Sequence, residues 1–389
     1  MYSAIPVESK ATLMQIRVFD IALALIIMPV VLVLALVLGP VFLVKQTANP
    51  YLALCYSLCR IILGDKSFCG LNDKVDEVGS SVILKPALFS FQELHQTIGC
   101  IEMTNRQMIR YHENNLSLKM HITLMLKCIT TRCLYKNKGE EKSEFSLFNI
   151  KIHNRTLQEA VKEIFSSDGS RCRSVFFVNV NSINLSFKNK HLTRDINCGD
   201  LVLADGSGVR LGAKRVNVKL KDNVNGTDLL PYICEALVAR GESLFLLGAA
   251  PGVAQTAANR LQDQYPGLKI AGVQHGYFKP KENASVIEAI NRSGASILLV
   301  GFGSPIQEKW INENKHQLKV KTALGVGGLF DFYSGRISRA PIWMREIGME
   351  WIYRLAMEPG KKFERYVIGN PLYLFRLYFS SRLKSKGVA

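Results

Sequence analysis

Acidic residues are scarce in this chain. Its 389 residues include 32 Asp+Glu against 49 Lys+Arg, a formal charge of +17. Its nine cysteines are odd in number and contain no CxxC pair and no zinc-type Cys/His spacing. That excludes a disulfide framework and a structural zinc site, and reads as a reduced, cytosol-facing chain. The basic residues form no single dense run, so charge alone suits nucleic acid, an anionic membrane face or phosphorylated substrates equally well. Internal repeats and low-complexity segments are also missing. The length leaves room for two or three domains.

Charge is absent altogether from Ile21 to Val44, with Arg17 and Asp20 before this run and Lys45 after it. About 20 apolar residues suffice to cross a bilayer. The run lies too far from an initiating basic region, and lacks a small-residue cleavage site, to be an ordinary signal peptide. Pro29 inside it removes a backbone donor and kinks a helix. The element is therefore expected either to span with a kink or to enter and return on one face. Basic residues at both ends leave both possibilities open.

From Glu144 onward, short apolar runs alternate with amphipathic stretches. Ser174–Val180, Leu201–Ala204, Ser243–Leu247, Lys269–Val273, Ile297–Val300 and Lys321–Val326 read as strands. Residues 227–239, 253–264, 284–291 and 306–317 read as helices. Such alternation predicts an α/β, Rossmann-like domain with a mostly parallel sheet and helices on both faces. In open sheets of this kind ligands bind at the carboxyl edge of the strands. Leu201-Val202-Leu203-Ala204-Asp205-Gly206-Ser207-Gly208 ends an apolar run on a carboxylate. Asp205 can serve there as a base, orient a hydroxyl or hold a metal, or it can simply cap the next helix.

Past Gly335, eleven Lys+Arg and four Glu are interleaved with Trp343, Trp351, Tyr353, Phe363, Tyr366, Tyr373, Phe375, Tyr378 and Phe379. That pattern suits a membrane interface carrying anionic lipid. It also suits stacking on bases, or a helix packed on the domain with its charges solvated. The apolar segment at the other end of the chain favours the membrane and argues against nucleic acid. Four segments are expected: an anchor over 1–50, a second region over 51–140, the α/β domain over 145–340, and a basic-aromatic helical tail over 341–389.

Two resemblances sharpen this reading. Arg17-Val18-Phe19-Asp20-Ile21, the run with Pro29, and Gly39-Pro40-Val41-Phe42 resemble the N-terminal anchor of bacterial polyprenyl-phosphate sugar-1-phosphate transferases, a broken re-entrant helix on the cytoplasmic side. Gly64–Gly70 resembles that family's GDMSLVG segment, Lys85-Pro86-Ala87-Leu88 its KPG motif, and Tyr111–Leu118 its closing Y-x-x-N-x-S-L segment. In that family a catalytic Asp-Glu pair lies between the anchor and the GDMSLVG segment. Here Lys45–Leu63 fills the interval and holds no Asp or Glu. A transfer that needs a carboxylate nucleophile lacks one. The first 140 residues are therefore expected to be a shortened, inactive relic retained as an anchor.

The second resemblance runs from about Phe145 to Tyr366. Nine stretches in order are similar to the WecG/TagA/CpsF glycosyltransferases (glycosyltransferase family 26). They are Asn179–Ser182, Ala204–Gly208, Gly226–Leu229, Leu247–Gly252, His275–Phe278, Gly301–Glu308, Gly325–Asp331, Arg339–Pro341 and Glu350–Pro359. The resemblance implies an inverting enzyme that moves an N-acetylmannosamine-type sugar, N-acetylmannosamine or its uronate, from a UDP donor to a polyprenyl-diphosphate-linked sugar. It places this step in surface or exopolysaccharide assembly, on the cytoplasmic face of the bacterial inner membrane, alongside other polysaccharide-assembly enzymes. It calls for no cofactor and no metal, and no Asp-x-Asp occurs after Glu144.

On the same grounds Asp205 matches the proposed base. Asn179 and Asn181 match positions near the donor, the first being Thr in the usual T-P-N form. Gln307 matches a substrate-contacting glutamine, or is merely a helix-start residue behind Pro305. Gly325, Gly327 and Gly328 let backbone approach a phosphate, or only make a tight turn. Arg354 and Arg365 match tail arginines thought to close over the site, and Lys361 stands where Arg is usual. The main departure is Asn223, where the family carries Arg; an amide cannot replace a guanidinium on a phosphate, so Lys221 or Arg215 compensates, or else the donor or the rate differs. The alternative is a catalytically weak relative that acts as a membrane scaffold for other polysaccharide enzymes. A truncation lacking 341–389 is expected to fold but to lose activity.

Overall fold

A computed structural model describes residues 7–44, 48–70, 85–90, 94, 116–134, 139–341, 344–345 and 348–379. Residues Tyr111–Asn115 of the closing segment, Lys136–Lys138 of the interdomain stretch, Trp343 and everything past Phe379 lie outside them. The chain divides into two compact units, Met1–Lys136 and Asn137–Ala389.

In the first unit, α1 (Val7–Val44) runs unbroken through Pro29. The interruption implied by the re-entrant alternative is not seen at this position: a proline forfeits one backbone bond, and packing along α1 compensates. That packing comes from α2 (Pro50–Leu63), capped by Asn49 and ended at Gly64 in the left-handed region. Asn49 Nδ2 donates to Ala35 O at 3.1 Å, while Arg17 donates to Ile61 O and, at 2.7 Å, to Ile62 O. The two helices are therefore antiparallel, and the return is made by α2 rather than within α1. β1 (Ser67–Gly70) pairs in parallel with β2 (Ala87–Ser90), and α3 (Leu118–Leu134) packs beside them. Asp20 is fully buried. It accepts from Ser67 Oγ at 2.5 Å and pairs with His121 Nε2 at 2.9 Å, so one carboxylate ties α1, β1 and α3 together. Away from this seam α1 leaves Leu25, Ile26, Val30, Val33, Leu36 and Val37 exposed. It is the one helix among the described residues long and apolar enough to cross a membrane.

The second unit is built on an eight-stranded sheet of order β3-β4-β6-β5-β10-β9-β7-β8. The strands are β3 (Glu144–Leu147), β4 (Ile150–His153), β5 (Arg173–Val178), β6 (Leu201–Ala204), β7 (Ser243–Gly248), β8 (Lys269–Gln274), β9 (Ile297–Gly301) and β10 (Thr322–Gly325). Only the edge pair β3/β4 is antiparallel. β6, β9 and β10 are buried along their whole length, as strands covered by helices on both faces must be. This is the α/β architecture the alternation predicts.

After β5 the chain steps outward to β6; after β9 it steps inward to β10, which lies beside β5. The helix after β5 (Val180–Lys188) packs through Ile183 with Val178 on one face of the sheet, and the helix after β10 (Leu329–Tyr333) packs with Leu324 on the other, so the connections leave these neighbouring strands towards opposite faces. At such a switch point the following loops diverge and leave a crevice. The carboxyl ends of β6, β5, β10 and β9 deliver Asp205, Asn179, the 325–328 glycines and the loop before Gln307 to that edge.

The described helices after β4 are α4 (Leu157–Ile164), α5 (Val180–Lys188), α6 (Lys190–Asn197), α7 (Ser207–Arg215), α8 (Gly226–Arg240), α9 (Val253–Gln264), α10 (Asn283–Ser293), α11 (Ile306–Asn314) and α12 (Leu329–Tyr333). In the tail, α13 (Glu350–Met357), α14 (Pro359–Phe363) and, after a π-turn over Glu364–Ile368, α15 (Gly369–Phe379) close the unit. Tyr373 and Leu377 of α15 are completely buried in the core that contains Leu147, Val178 and Val209. Gly208 and Gly212, one turn apart on the helix Ser207–Arg215, make room for this: a Cβ on Gly212 would sit 2.7 Å from the Tyr373 hydroxyl, and one on Gly208 2.1 Å from Val180. Asn184 fastens the same helix at both ends, donating to Gly369 O at 2.7 Å and accepting from Arg376 at 2.6 Å. Tyr366 and Tyr373 are thus buried packing residues, whereas Phe363, Ile368, Phe375, Tyr378 and Phe379 remain exposed. No disulfide joins the described cysteines.

Candidate active site

The turn after β6 places Asp205. Its N–H donates to Val178 O at 2.8 Å, which lays it against the end of β5. Gly206 follows at φ +96° and is the N-cap of the next helix, with no side-chain cap. Asp205 is therefore not a helix cap. Its Oδ2 accepts from Asn179 Nδ2 at 3.0 Å, while Asn179 Oδ1 accepts the Ser182 N–H at 3.1 Å. One amide thus caps its own helix and aims the carboxylate. Burial pushes the Asp205 carboxyl above the ordinary carboxylate range. The Asn179 bond and the positive charges of Arg354 and Arg365 work against that rise, and Glu350 adds to it.

Around Asp205 lies a cavity of about 170 Å³. Asn179, Asn181, Gln307, Gly325, Gly327, Gly328, Arg354 and Arg365 all line it. Asp205 and these eight residues are therefore brought to one place, although the arrangement differs from the expectation in two respects.

First, Gln307 is almost fully buried, and its amide is occupied by the protein. Nε2 donates to Gly325 O at 3.1 Å and to Glu308 Oε1 at 3.0 Å, and Oε1 accepts the Gly327 N–H at 2.8 Å. It clamps the glycine loop from both sides. Gly325 has no room for a side chain against it, since an added Cβ would lie 3.1 Å from Gln307 Cδ, and Gly327 sits at φ +58°. Asn181, by contrast, lines the cavity and makes no side-chain hydrogen bond among the described residues.

Second, neither cation expected to compensate for Asn223 reaches the site. Lys221 pairs with Glu159 at 2.8 Å, and Arg215 is exposed at the far end of its helix. Asn223 itself serves the backbone instead. Its Oδ1 accepts the Gly206 N–H, so it holds the turn that carries Asp205. The cations come from the tail. Arg354 donates to Glu350 Oε1 at 2.7 Å through Nη2 and at 3.1 Å through Nε, and lies 4.5 Å over the Phe332 ring. Arg365 rests over Tyr366, and its buried Nε has no partner among the described residues.

A second, larger cleft of about 990 Å³ adjoins the first across Gly303, Gly327, Gly328, Phe332, Arg354 and Arg365. Tyr277, Phe278, Phe302 and Trp310 supply aromatic surface there, and Lys309, Arg336, Lys361 and Lys362 supply charge. Burial, then the nearby Arg365, pulls the Lys362 ammonium below its ordinary range. Carboxylates of the same cleft pair with these cations: Glu313 with Lys309, Asp331 with Arg336, and Glu358 with Lys361 and Lys362. Among the described residues no group of three His, Cys, Asp or Glu could hold a metal ion.

Residues 145–387 match the model of the glycosyl transferase WecG/TagA/CpsF family. The chain belongs to that family. A relative within reach of direct comparison is the N-acetylglucosaminyldiphosphoundecaprenol N-acetyl-beta-D-mannosaminyltransferase of Bacillus subtilis (strain 168), 31% identical over 166 residues, 43% of this chain. The match spans 64% of that relative's length, less than two thirds of it. As a WecG/TagA/CpsF glycosyltransferase, the chain has its family region within the second unit. Sequence reasoning overlooked Glu350 as a site residue. Its signal was an i, i+4 carboxylate–guanidinium pair with Arg354, the spacing at which helix residues meet.

Proposed function

We propose that the second unit is an inverting glycosyltransferase in which Asp205 is the general base. The observation that carries this reading is a single small cavity holding one carboxylate of raised basicity, one unengaged amide and two tail arginines. Asp205 takes the proton of an acceptor hydroxyl as its oxygen attacks the anomeric carbon from the face opposite the leaving diphosphate. The bond to the diphosphate breaks, and the negative charge left on it meets Arg354 and Arg365. Asn181 orients sugar hydroxyls, since an amide both donates and accepts. The tail over the cavity keeps water from competing as acceptor.

The larger cleft suits a nucleoside diphosphate: aromatic walls for the base, cations for the phosphates. The relative's name supports an N-acetylmannosamine-type sugar and a lipid-diphosphate-linked acceptor; to these we add UDP as the donor nucleotide and surface or exopolysaccharide assembly as the setting. A lipid-linked acceptor requires the enzyme to meet a bilayer. Each unit by itself supports this, α1 through its exposed apolar face and the tail through Ile368, Phe375 and Phe379 beside basic residues. The cytoplasmic face of the inner membrane is the corresponding location. The first unit serves as an anchor derived from a sugar-phosphate transferase, without that family's carboxylate pair between Lys45 and Leu63.

The decisive experiment is transfer by the full chain from UDP-N-acetylmannosamine, or its uronate, to a lipid-diphosphate N-acetylglucosamine. Product formed by the native chain and lost in Asp205→Asn supports the reading. No product from any of a panel of UDP-sugars leaves the scaffold reading in its place.

A further inference from the structure

Both bonds that Arg354 makes to Glu350 land on one oxygen, Oε1. The other oxygen accepts no hydrogen bond from a described residue, and Glu350 lines the Asp205 cavity. Its side chain is 24% exposed and that of Arg354 27%, so the pair is largely shielded from water, where a surface pair of the same spacing would contribute little. Arg354 is held along one edge by this carboxylate and lies over the Phe332 ring. A long, flexible side chain is thereby confined to one place beside the base. An unpaired arginine would have to lose that rotamer freedom on binding.

We propose that Glu350 is a positioning residue of the active site, whose carboxylate fixes the Arg354 guanidinium in the Asp205 cavity where the leaving diphosphate forms. This deepens the glycosyltransferase reading and rests on it. Glu350 touches neither reacting atom; it acts through Arg354 and through its field at Asp205. The groups that face Asp205 are Asn179 from the end of β5 and Glu350, Arg354 and Arg365 from the tail. Glu350 is the single negative charge among them.

The experiment is steady-state kinetics of the full chain over a pH series for Glu350→Gln, Glu350→Asp, Arg354→Ala and the double variant Glu350→Gln/Arg354→Ala. Glu350→Gln is expected to lower kcat about tenfold, in the range of a mispositioned catalytic group. Removing its charge lowers the proton affinity of Asp205, so the acid limb of kcat/KM moves to lower pH. Glu350→Asp keeps the charge and hence the limb, and recovers part of the rate. The double variant is expected to be no slower than Arg354→Ala alone. Additive losses together with an unmoved acid limb would overturn the proposal, as would a Glu350→Gln variant with native kinetics. If Glu350→Gln is too slow for a pH series, Glu350→Asp and the double variant decide by rescue and additivity. A fully active Asp205→Asn would instead sink the base reading, and the additivity of Glu350 and Arg354 would still report on their pairing.

Discussion

Tyr373 donates its hydroxyl hydrogen to the carbonyl of Gly208 at 2.7 Å, across 165 residues of chain. The bond joins the last described helix to the first turn after Asp205. It makes the tail a structural part of the sheet domain as well as its cover.

Tyr373→Phe removes that bond but leaves the Gly208 carbonyl in the backbone ladder of the helix Ser207–Arg215, so only about 0.5–1.5 kcal/mol is expected to be lost. Tyr373→Ala also opens a cavity, and about 3–5 kcal/mol is expected. Thermal unfolding of the purified chain checks both. Removing residues 341–389 withdraws Tyr373 and Leu377 from the core. The truncated domain is therefore expected to lose stability along with activity, and not to survive as an intact fold as the sequence alone suggests.

Asp205 carries a cost of its own. Its carboxyl titrates above the usual range because burial disfavours the charge. A group raised in this way favours the folded state most below the unfolded carboxylate pKa, and that benefit is lost as pH climbs through the folded value. Asp205→Asn is therefore expected to be inactive, by roughly 10²–10⁴-fold if it removes a general base, yet more stable than the native chain at pH 7. The stability difference should shrink as the pH falls below the ordinary carboxylate range. Chemical denaturation at two pH values reads it. In the native chain the acid limb of kcat/KM should lie above that range.

Asn223 holds the Gly206 N–H through an acceptor oxygen. Asn223→Ala and Asn223→Arg both remove the acceptor, since a guanidinium has none. Both are expected to lower kcat by about tenfold with little change in KM, as when a base is displaced slightly. Asn223→Asp keeps an acceptor and should retain most of kcat. An arginine variant faster than the native chain would contradict this role.

In the first unit, Asp20→Ala leaves His121 and Ser67 buried without their shared acceptor. Breaking a buried pair costs about 3–5 kcal/mol. Protease resistance of that unit in detergent is expected to fall sharply, with Asp20→Asn milder because it keeps an acceptor oxygen.

Much of the sheet was legible because its strands are short runs buried on both faces. Leu201–Ala204 and the helix Val253–Gln264 were read to the residue. Ser174–Val180 overran because Asn179 caps a helix that already contains Val180. The edge hairpin over 144–153 was missed: its strands are four residues each, too short for a periodic signal. The site residues could be gathered by motif, but not their division of labour. Whether an amide is left open to the cavity, as that of Asn181 is, or clamps a loop, as that of Gln307 does, depends on contacts between distant segments. The same holds for Asn223, whose partner is a backbone N–H of the neighbouring turn.

The placement of Arg354 and Arg365 beyond the last strand bears on the order in which a growing chain matures. A polypeptide still short of Tyr373 already contains Asp205, both asparagines and the glycine loop, yet it lacks the plug that seats its cover. Sugar transfer would therefore begin only once the closing helix had been made and docked, so unfinished copies of the protein would stay silent.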